Sequence, residues 1–243
     1  MIKLSEISTK ADDSITKEKA IGEIQNFRKK IFKLQNLLYA NATQSLLIIL
    51  QGMDTSGKDG TIRHVFSTVN PQGCSVKTFK TPTTEEAAHD FLWRVYRHVP
   101  AKGMMQIFNR SHYEDVLFPV VHKTIAKSQL VKRCKFINEF ENHLKDSGVI
   151  ILKFYLHLSH KEQQKRIKQR LTVPEKMWKY DPADKRESKK WEDYIKAYEH
   201  IINTCSPEIP WIIVPADEKW FRNYTVAKTI VKTLEKLRMK YPE

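Results

Sequence analysis

Apolar residues recur along this chain in two alternating rhythms. The run at 46–50, Leu-Leu-Ile-Ile-Leu, is short and continuous, as in a strand buried on both faces of a parallel sheet. Comparable runs stand at 74–79, 104–108, 149–156 and 211–214. Between them the spacing changes to steps of three and four. Ile21, Ile24, Phe27, Ile31, Leu34 and Leu38 predict one face of a leading helix over about 14–40, capped by Asp13 or Ser14 and packed on the domain or on another subunit. Thr83 and Glu86 form a capping-box pattern ahead of Ala87, Phe91, Leu92, Val95 and Tyr96, which predicts a helix stopping before Pro100. A helix over 129–147 meets Gly148, which suits a left-handed cap. Ser159 and Glu162 repeat the capping-box spacing before a basic helix reaching Arg170. Periodicity returns with Trp191, Tyr194, Ile195, Tyr198, Ile201 and Ile202, and a last helix covers about 224–240. Strands alternating with helices, without repeats or low-complexity linkers, predict an α/β fold with a parallel sheet.

At 243 residues and 41% hydrophobic content the chain suits one domain, or one domain with an insertion. The formal charge of +14, from 42 Lys and Arg against 28 Asp and Glu, points to a polyanionic partner or an acidic membrane face. Cys74, Cys134 and Cys205 show neither a disulfide framework nor zinc-ligand spacing, which favours a reducing cytoplasm. Residues 1–13 carry no apolar signal core, and the longest aliphatic runs fall far short of the roughly 20 residues of a membrane span. A soluble protein without a membrane partner is expected.

The strand at 46–50 runs into G-M-D-T-S-G-K-D-G at 52–60, followed by the amphipathic stretch 61–69. Strand, glycine loop and helix start together make a phosphate cradle: backbone N–H groups turn inward and the helix dipole adds positive potential. Lys58 supplies a point charge. Asp59 stands where Ser or Thr would place a hydroxyl on magnesium. Asp54 inside the loop would repel phosphate unless magnesium lay between, which makes it a candidate metal ligand; the alternative is that it caps the turn through its own backbone amides.

The strand at 104–108 delivers Asn109-Arg110-Ser111-His112-Tyr113-Glu114-Asp115 to its carboxyl end, where open α/β sheets place ligands. Asn109 can accept from a metal-bound water, and Arg110 can engage two oxygens of a transferring phosphoryl group. Glu114 and Asp115 lie close enough in sequence to act on metal water or acceptor, or else cap the next helix. His112 reads as a hydrogen-bonded structural residue. The stretch 161–190 holds eleven Lys and Arg against five Asp and Glu, is punctuated by Pro174 and Pro182, and looks like a mobile lid closing over phosphates to exclude water. Arg166, Arg170, Lys176 and Lys179 are its candidate phosphate cations, while Trp178 is expected to bury against the lid's own body. Lys80, Arg63, Arg94 and Arg97 are candidates for extending the positive surface.

In this order the segments G-M-D-T-S-G-K-D-G-T-I-R-H-V, F-K-T-P-T-x-E-E-x-x-H-D-F-L-W-R, I-F-N-R-S-H-Y-E-D-V-L, P-E-K-M-W-K-Y-D-P-A-D and W-I-I-V-P-A-D-x-K resemble the family-2 polyphosphate kinases, from about residue 20 to the terminus. The resemblance implies a P-loop kinase, thymidylate-kinase-like, as a single three-layer domain over 1–243 with a helical lid. It implies inorganic polyphosphate as donor and Mg2+ as cofactor. Asp54 would then bind magnesium, with Asn109 assisting through water, and Lys58 and Arg110 would contact the transferring phosphate, with Glu114 as the fourth catalytic residue. Gly52, Thr55, Ser56, Gly57, Asp59, Gly60, Arg63, Lys80, Asn109, Tyr113 and the four lid cations would bind phosphate or nucleotide. Many members carry Asp where this chain has Asn109, and the N-R-S-H-Y-E pattern is similar to the subgroup acting on both nucleoside mono- and diphosphates. Adenine nucleotides are the expected acceptors, guanine nucleotides and reversal stay open, and a homo-oligomer is expected. The rivals are an ATP-dependent nucleotide kinase of the same fold and a nucleic-acid-binding protein; no recognised nucleic-acid module supports the second.

Overall fold

The computed structural model describes every residue except Ser14, Ser206 and Glu243. Its strands are β1 (Ser45–Gln51), β2 (Cys74–Thr78), β3 (Met105–Asn109), β4 (Val149–His157) and β5 (Trp211–Pro215). They form one parallel sheet in the order β2-β3-β1-β4-β5. The helices are α1 (Lys17–Asn41), α2 (Lys58–Val65), α3 (Thr84–Ala88), α4 (Trp93–Tyr96), α5 (Glu114–Val121), α6 (Lys127–Asp146), α7 (His160–Thr172), α8 (Pro174–Met177), α9 (Pro182–Ser188), α10 (Trp191–Thr204) and α11 (Lys219–Lys236). None of them is long and apolar enough to cross a membrane.

β1 is central and buried at every position. Its side chains alternate between faces, as the pleat requires. Leu47 and Ile49 join a layer with α5, α6 and α10, whereas Leu46, Ile48 and Leu50 join a layer with α1, α2 and α11. The result is the expected three-layer α/β arrangement. In register, Leu50 lies opposite Asn109 of β3 and Phe154 of β4, so the segments that follow these strands emerge along one edge of the sheet.

The ends of the elements follow local chemistry. Thr16, not Asp13, caps α1 by accepting from the Lys19 amide, and Ser14 lies outside the described residues. Ile21, counted on the buried face, is 46% exposed, while Ala20 and Ile31 are fully buried. The capping box of Thr83 and Glu86 is formed as predicted, but the helix behind it breaks into α3 and α4. His89 is extended there, and the Asp90 carboxylate accepts from the Leu92 amide at 2.9 Å. A short acidic side chain thus offers the backbone a turn in place of a continuous helix. α6 ends at Gly148, whose φ of +87° is a conformation that L side chains rarely adopt.

One polar cluster is buried under α6. Lys153 of β4 donates to Glu141 Oε2 at 2.7 Å and to Tyr113 Oη at 2.9 Å, and Tyr113 in turn donates to Glu141 Oε1 at 2.7 Å. His112 Nε2 lies 3.2 Å from the same carboxylate oxygen. Burial works to raise the Glu141 carboxyl, but Lys153 and His112 outweigh it and hold it down at about 2. Burial pulls the Lys153 ammonium below the usual lysine range, with Glu141 opposing. The cluster pins the segment between β3 and α5 to the core, and that segment carries Arg110 and Glu114.

Ile31→Ala is expected to cost about 2–5 kcal/mol in urea titrations, and Ile21→Ala to stay within about 0.5 kcal/mol; equal losses would contradict this placement of α1. Glu141→Gln strands a buried ammonium and should cost about 3–5 kcal/mol, most of which returns on adding Lys153→Met. The Glu141 carboxyl is depressed on folding, so its contribution is complete above the ordinary value of about 4.3 and disappears as pH falls toward about 2. Across that window the urea midpoint of the parent chain should fall more steeply than that of the double variant.

Candidate active site

The loop between β1 and α2 is held by its carbonyl oxygens. Lys58 Nζ donates to the carbonyls of Gly52 (2.7 Å) and Met53 (3.3 Å). Gln163 of α7 donates to that of Asp54 at 3.3 Å. Arg166 of α7 donates to those of Thr55 (3.0 Å) and Ser56 (3.3 Å), and Arg222 of α11 to that of Ser56 at 3.0 Å. Five consecutive carbonyls are therefore occupied by side chains. Holding the Asp54, Thr55 and Ser56 oxygens from α7 and α11 turns that stretch's opposite, N–H side toward a ligand, which is how a backbone nest selects anions. Three residues take unusual conformations to make this path: Gly52 with φ +149°, Thr55 with φ +67° and Gly57 with φ +101°. A Cβ at Gly57 would lie 1.9 Å from Arg222 Nη1, so only glycine fits.

Lys58 is buried at the start of α2, as the sequence motif expects. Burial, then the charge of Arg110, lowers its ammonium to about 8, with Asp54, Glu114 and Asp59 opposing. Arg110 leaves β3 with φ +62°, its own amide bonded to the Leu50 carbonyl at 3.0 Å. Its guanidinium ion-pairs with Asp54 and reaches Glu114 at 3.5 Å. Glu114 and Asp54 both raise the guanidinium's pKa, against burial, which lowers it. Gln51, with its amide oriented to satisfy both neighbours, donates to Glu114 at 3.0 Å and accepts from Ser111. Asn109 Nδ2 donates to Asp59 Oδ1 at 2.5 Å, so the residue in place of the usual hydroxyl is tethered to the end of β3. Asp54, Lys58, Asn109, Arg110 and Glu114 are thus one cluster.

A cavity of about 510 Å³ opens beside it, lined by Asp54, Lys80, Arg110, Glu114 and Asp115 and closed on the far side by Asp184 and Glu187 of α9. Lys80 sits exposed on its rim, and its carbonyl accepts from Arg94 at 2.9 Å. Arg94, expected on the positive surface, is buried and bonded to Asp115 at 2.8 Å. Arg97 is exposed and stacks over Trp93.

Other sequence-predicted residues lie elsewhere. Tyr113 is in the core cluster with Glu141, turned away from the loop, and His112 is buried beside it as a hydrogen-bonded residue. Arg63 is exposed on α2, and Gly60 packs on Arg222. Arg166 has no donor left pointing outward: besides the loop it bonds the carbonyls of Ala216 (2.9 Å) and Asp217 (2.7 Å) and the Glu162 carboxylate (2.8 Å). Arg170 pairs with Asp184 and bonds the Lys179 carbonyl. Lys176 bonds Gln169 at 2.8 Å. Lys179 covers the ring of Trp178, which is 79% exposed and not buried as expected. The reason is local, because α8 is a single turn started by Pro174, and a four-residue helix has no apolar face to cover an indole.

Sequence reasoning missed Arg222, Gln163 and the Glu141–Lys153 pair. For Arg222 a signal existed. Val226, Ile230 and Leu234 follow it at steps of four, all buried, which puts the arginine on the inward face of α11.

Residues 14–242 match the family model described as polyphosphate kinase 2. An AMP/ADP-polyphosphate phosphotransferase of Meiothermus ruber is 46% identical over 228 residues, covering 93% of this chain and 85% of that protein. An ADP-polyphosphate phosphotransferase of Rhodopseudomonas palustris is 45% identical over 228 residues, covering 88% of this chain and 79% of that protein. The crystal structure of polyphosphate kinase 2 from Arthrobacter aurescens superposes with a TM-score of 0.97 at 37% identity, covering all of this chain and 88% of that one. With a carbonyl-clamped phosphate loop, a shared fold and matches along nearly its whole length, the chain belongs to the polyphosphate kinase 2 family of phosphotransferases.

Proposed function

We propose that this phosphotransferase moves the terminal phosphoryl group of inorganic polyphosphate onto AMP and ADP, giving ADP and ATP. The observation that carries the reading is the convergence of Lys58, Arg110 and Asp54 at the mouth of the loop, beside a cavity large enough for a nucleotide. The names of the Meiothermus ruber and Rhodopseudomonas palustris relatives support the donor and both acceptors.

In the proposed step a terminal phosphate oxygen of the acceptor attacks the last phosphorus of the polyphosphate in line. A new P–O bond forms as the bridging P–O bond to the rest of the donor breaks, and the shortened chain leaves with the bonding pair. Both reacting groups are anionic, so alignment and charge neutralisation carry the catalysis, and no general base is needed. Lys58 and Arg110 face the transferring group; Glu114 and Asp54 orient Arg110 through their ion pairs. Magnesium fits the donor set, because hard carboxylate oxygens suit it and it keeps waters and phosphate oxygens in its shell instead of requiring an all-protein cage. Asp54 would hold it, and Asn109, whose amide nitrogen is given to Asp59, keeps its oxygen for a metal-bound water. The chemistry that a bound magnesium ion would supply is neutralisation of phosphate charge. Residues 160–188 act as the lid, with Arg166 and Gln163 as its root on the loop and α9 over the cavity. Three free thiols support a cytoplasmic setting.

Purified protein with magnesium and long-chain polyphosphate should convert AMP to ADP and ADP to ATP; absence of product from both acceptors sinks the reading. Lys58→Ala and Asp54→Asn should each lower kcat by about 10²–10³, the loss typical of one removed transition-state donor. Lys58 acts as the cation and its value is lowered to about 8, so its charge is complete below that pH and lost above it. A plot of kcat/KM for polyphosphate against pH should therefore fall above about 8, and Lys58→Arg should carry activity past that limb.

A further inference from the structure

A cation buried under the loop has no counter-charge. Arg222 is 2% exposed, and among the described residues no carboxylate pairs with it. Its three bonds go to neutral oxygens: Nη1 to the Ser56 carbonyl at 3.0 Å, and Nε and Nη2 to Asn223 Oδ1 at 3.3 and 3.0 Å. The guanidinium lies flat against Gly57 and near Gly60, at the N-terminus of α2, where the helix dipole is already positive. Arg166, which shares the Ser56 carbonyl, adds a second positive charge nearby. Burying an ion without a partner is unfavourable, and setting it against like potential makes it more so. Burial and Arg166 together lower the guanidinium to about 9, the mark of a charge the protein alone does not satisfy. Arg166, by contrast, has Glu162 at 2.8 Å.

We infer that Arg222 is a positioning residue for the phosphate donor: an unpaired guanidinium held behind the loop at 52–57, whose charge is balanced only when a polyphosphate occupies the front. It touches the loop's backbone and not the phosphate. Gly57 is the thin wall between the two, and its lack of a side chain brings the charge as close as a backbone allows. The inference rests on the reading of this loop as the donor site.

Tripolyphosphate binding in magnesium-free buffer, followed by calorimetry, separates charge from hydrogen bonding. Arg222→Lys keeps the charge but not the planar fork to Ser56 and Asn223 and should bind within about threefold of the parent, while Arg222→Gln loses the charge and should bind about tenfold more weakly, the scale of one screened charge. In steady state Arg222→Gln should raise KM for polyphosphate more than it lowers kcat. Its unfolding temperature without ligand should match or exceed the parent's, because an unbalanced charge has gone. Equal weakening by both substitutions, parent-like binding by Arg222→Gln, or failure of Arg222→Gln to fold would each overturn the inference. Lys58→Ala is titrated in parallel. If it loses binding while Arg222→Gln keeps it, only the role of Arg222 falls; if it binds normally, the loop is not the donor site and both readings fall.

Discussion

Five neighbouring carbonyl oxygens, from Gly52 to Ser56, accept hydrogen bonds from Lys58, Gln163, Arg166 and Arg222, and the geometry of the site depends on this restraint. A glycine loop left alone would sample many conformations, at about 1–2 kcal/mol of backbone entropy per residue when ordered. Here the ordering is done by the protein before any ligand arrives. The donors come from α2, α7 and α11, so three helices from different parts of the chain agree on one loop path. Preorganisation of that kind is the main resource of an enzyme whose chemistry is positioning and neutralisation.

The charge of the chain is spent differently from what its total suggests. A formal +14 points to a polyanion, yet several cations closest to the cradle are committed internally. Arg166 serves backbone oxygens, Arg170 serves Asp184, and Arg94 serves Asp115. The cavity itself is of mixed sign, with Asp54, Glu114, Asp115, Asp184 and Glu187 facing Lys80, Arg94 and Arg110. A pocket of mixed sign discriminates by geometry more than by bulk attraction.

Legibility in the sequence followed the range of the forces involved. The strands, the loop at 52–60, the Thr83 cap and the Gly148 turn were readable because each depends on neighbours a few residues away. Ile21 was misplaced because the amphipathic stripe of α1 is wider than the strip that α11 covers. The helix expected through Tyr96 failed at Asp90, where a side chain competes with the helical bond pattern. Arg110, Asp54 and Glu114 were nominated correctly as neighbours, although their pairing joins residues 56 positions apart. Glu141 with Lys153, and Arg222 with Ser56, are tertiary facts, and only the inward spacing of α11 hinted at the second. The basic stretch at 161–190 was legible as composition but not as structure, since helices as short as α8 and α9 carry no period and Trp178 had nothing to bury against.

The bond from Arg222 to Ser56 also has a meaning in the order of synthesis. Residues 45–60 leave the ribosome early, but the guanidinium that finishes the loop is made 166 positions later, and Arg166 comes 111 positions after Thr55. β1 likewise waits for β4 to cover its second edge. Through most of translation the nascent chain therefore carries the motif without the side chains that fix its path. The restraint is completed by the last helix, so incomplete chains hold the signature residues but not the fixed path of the loop.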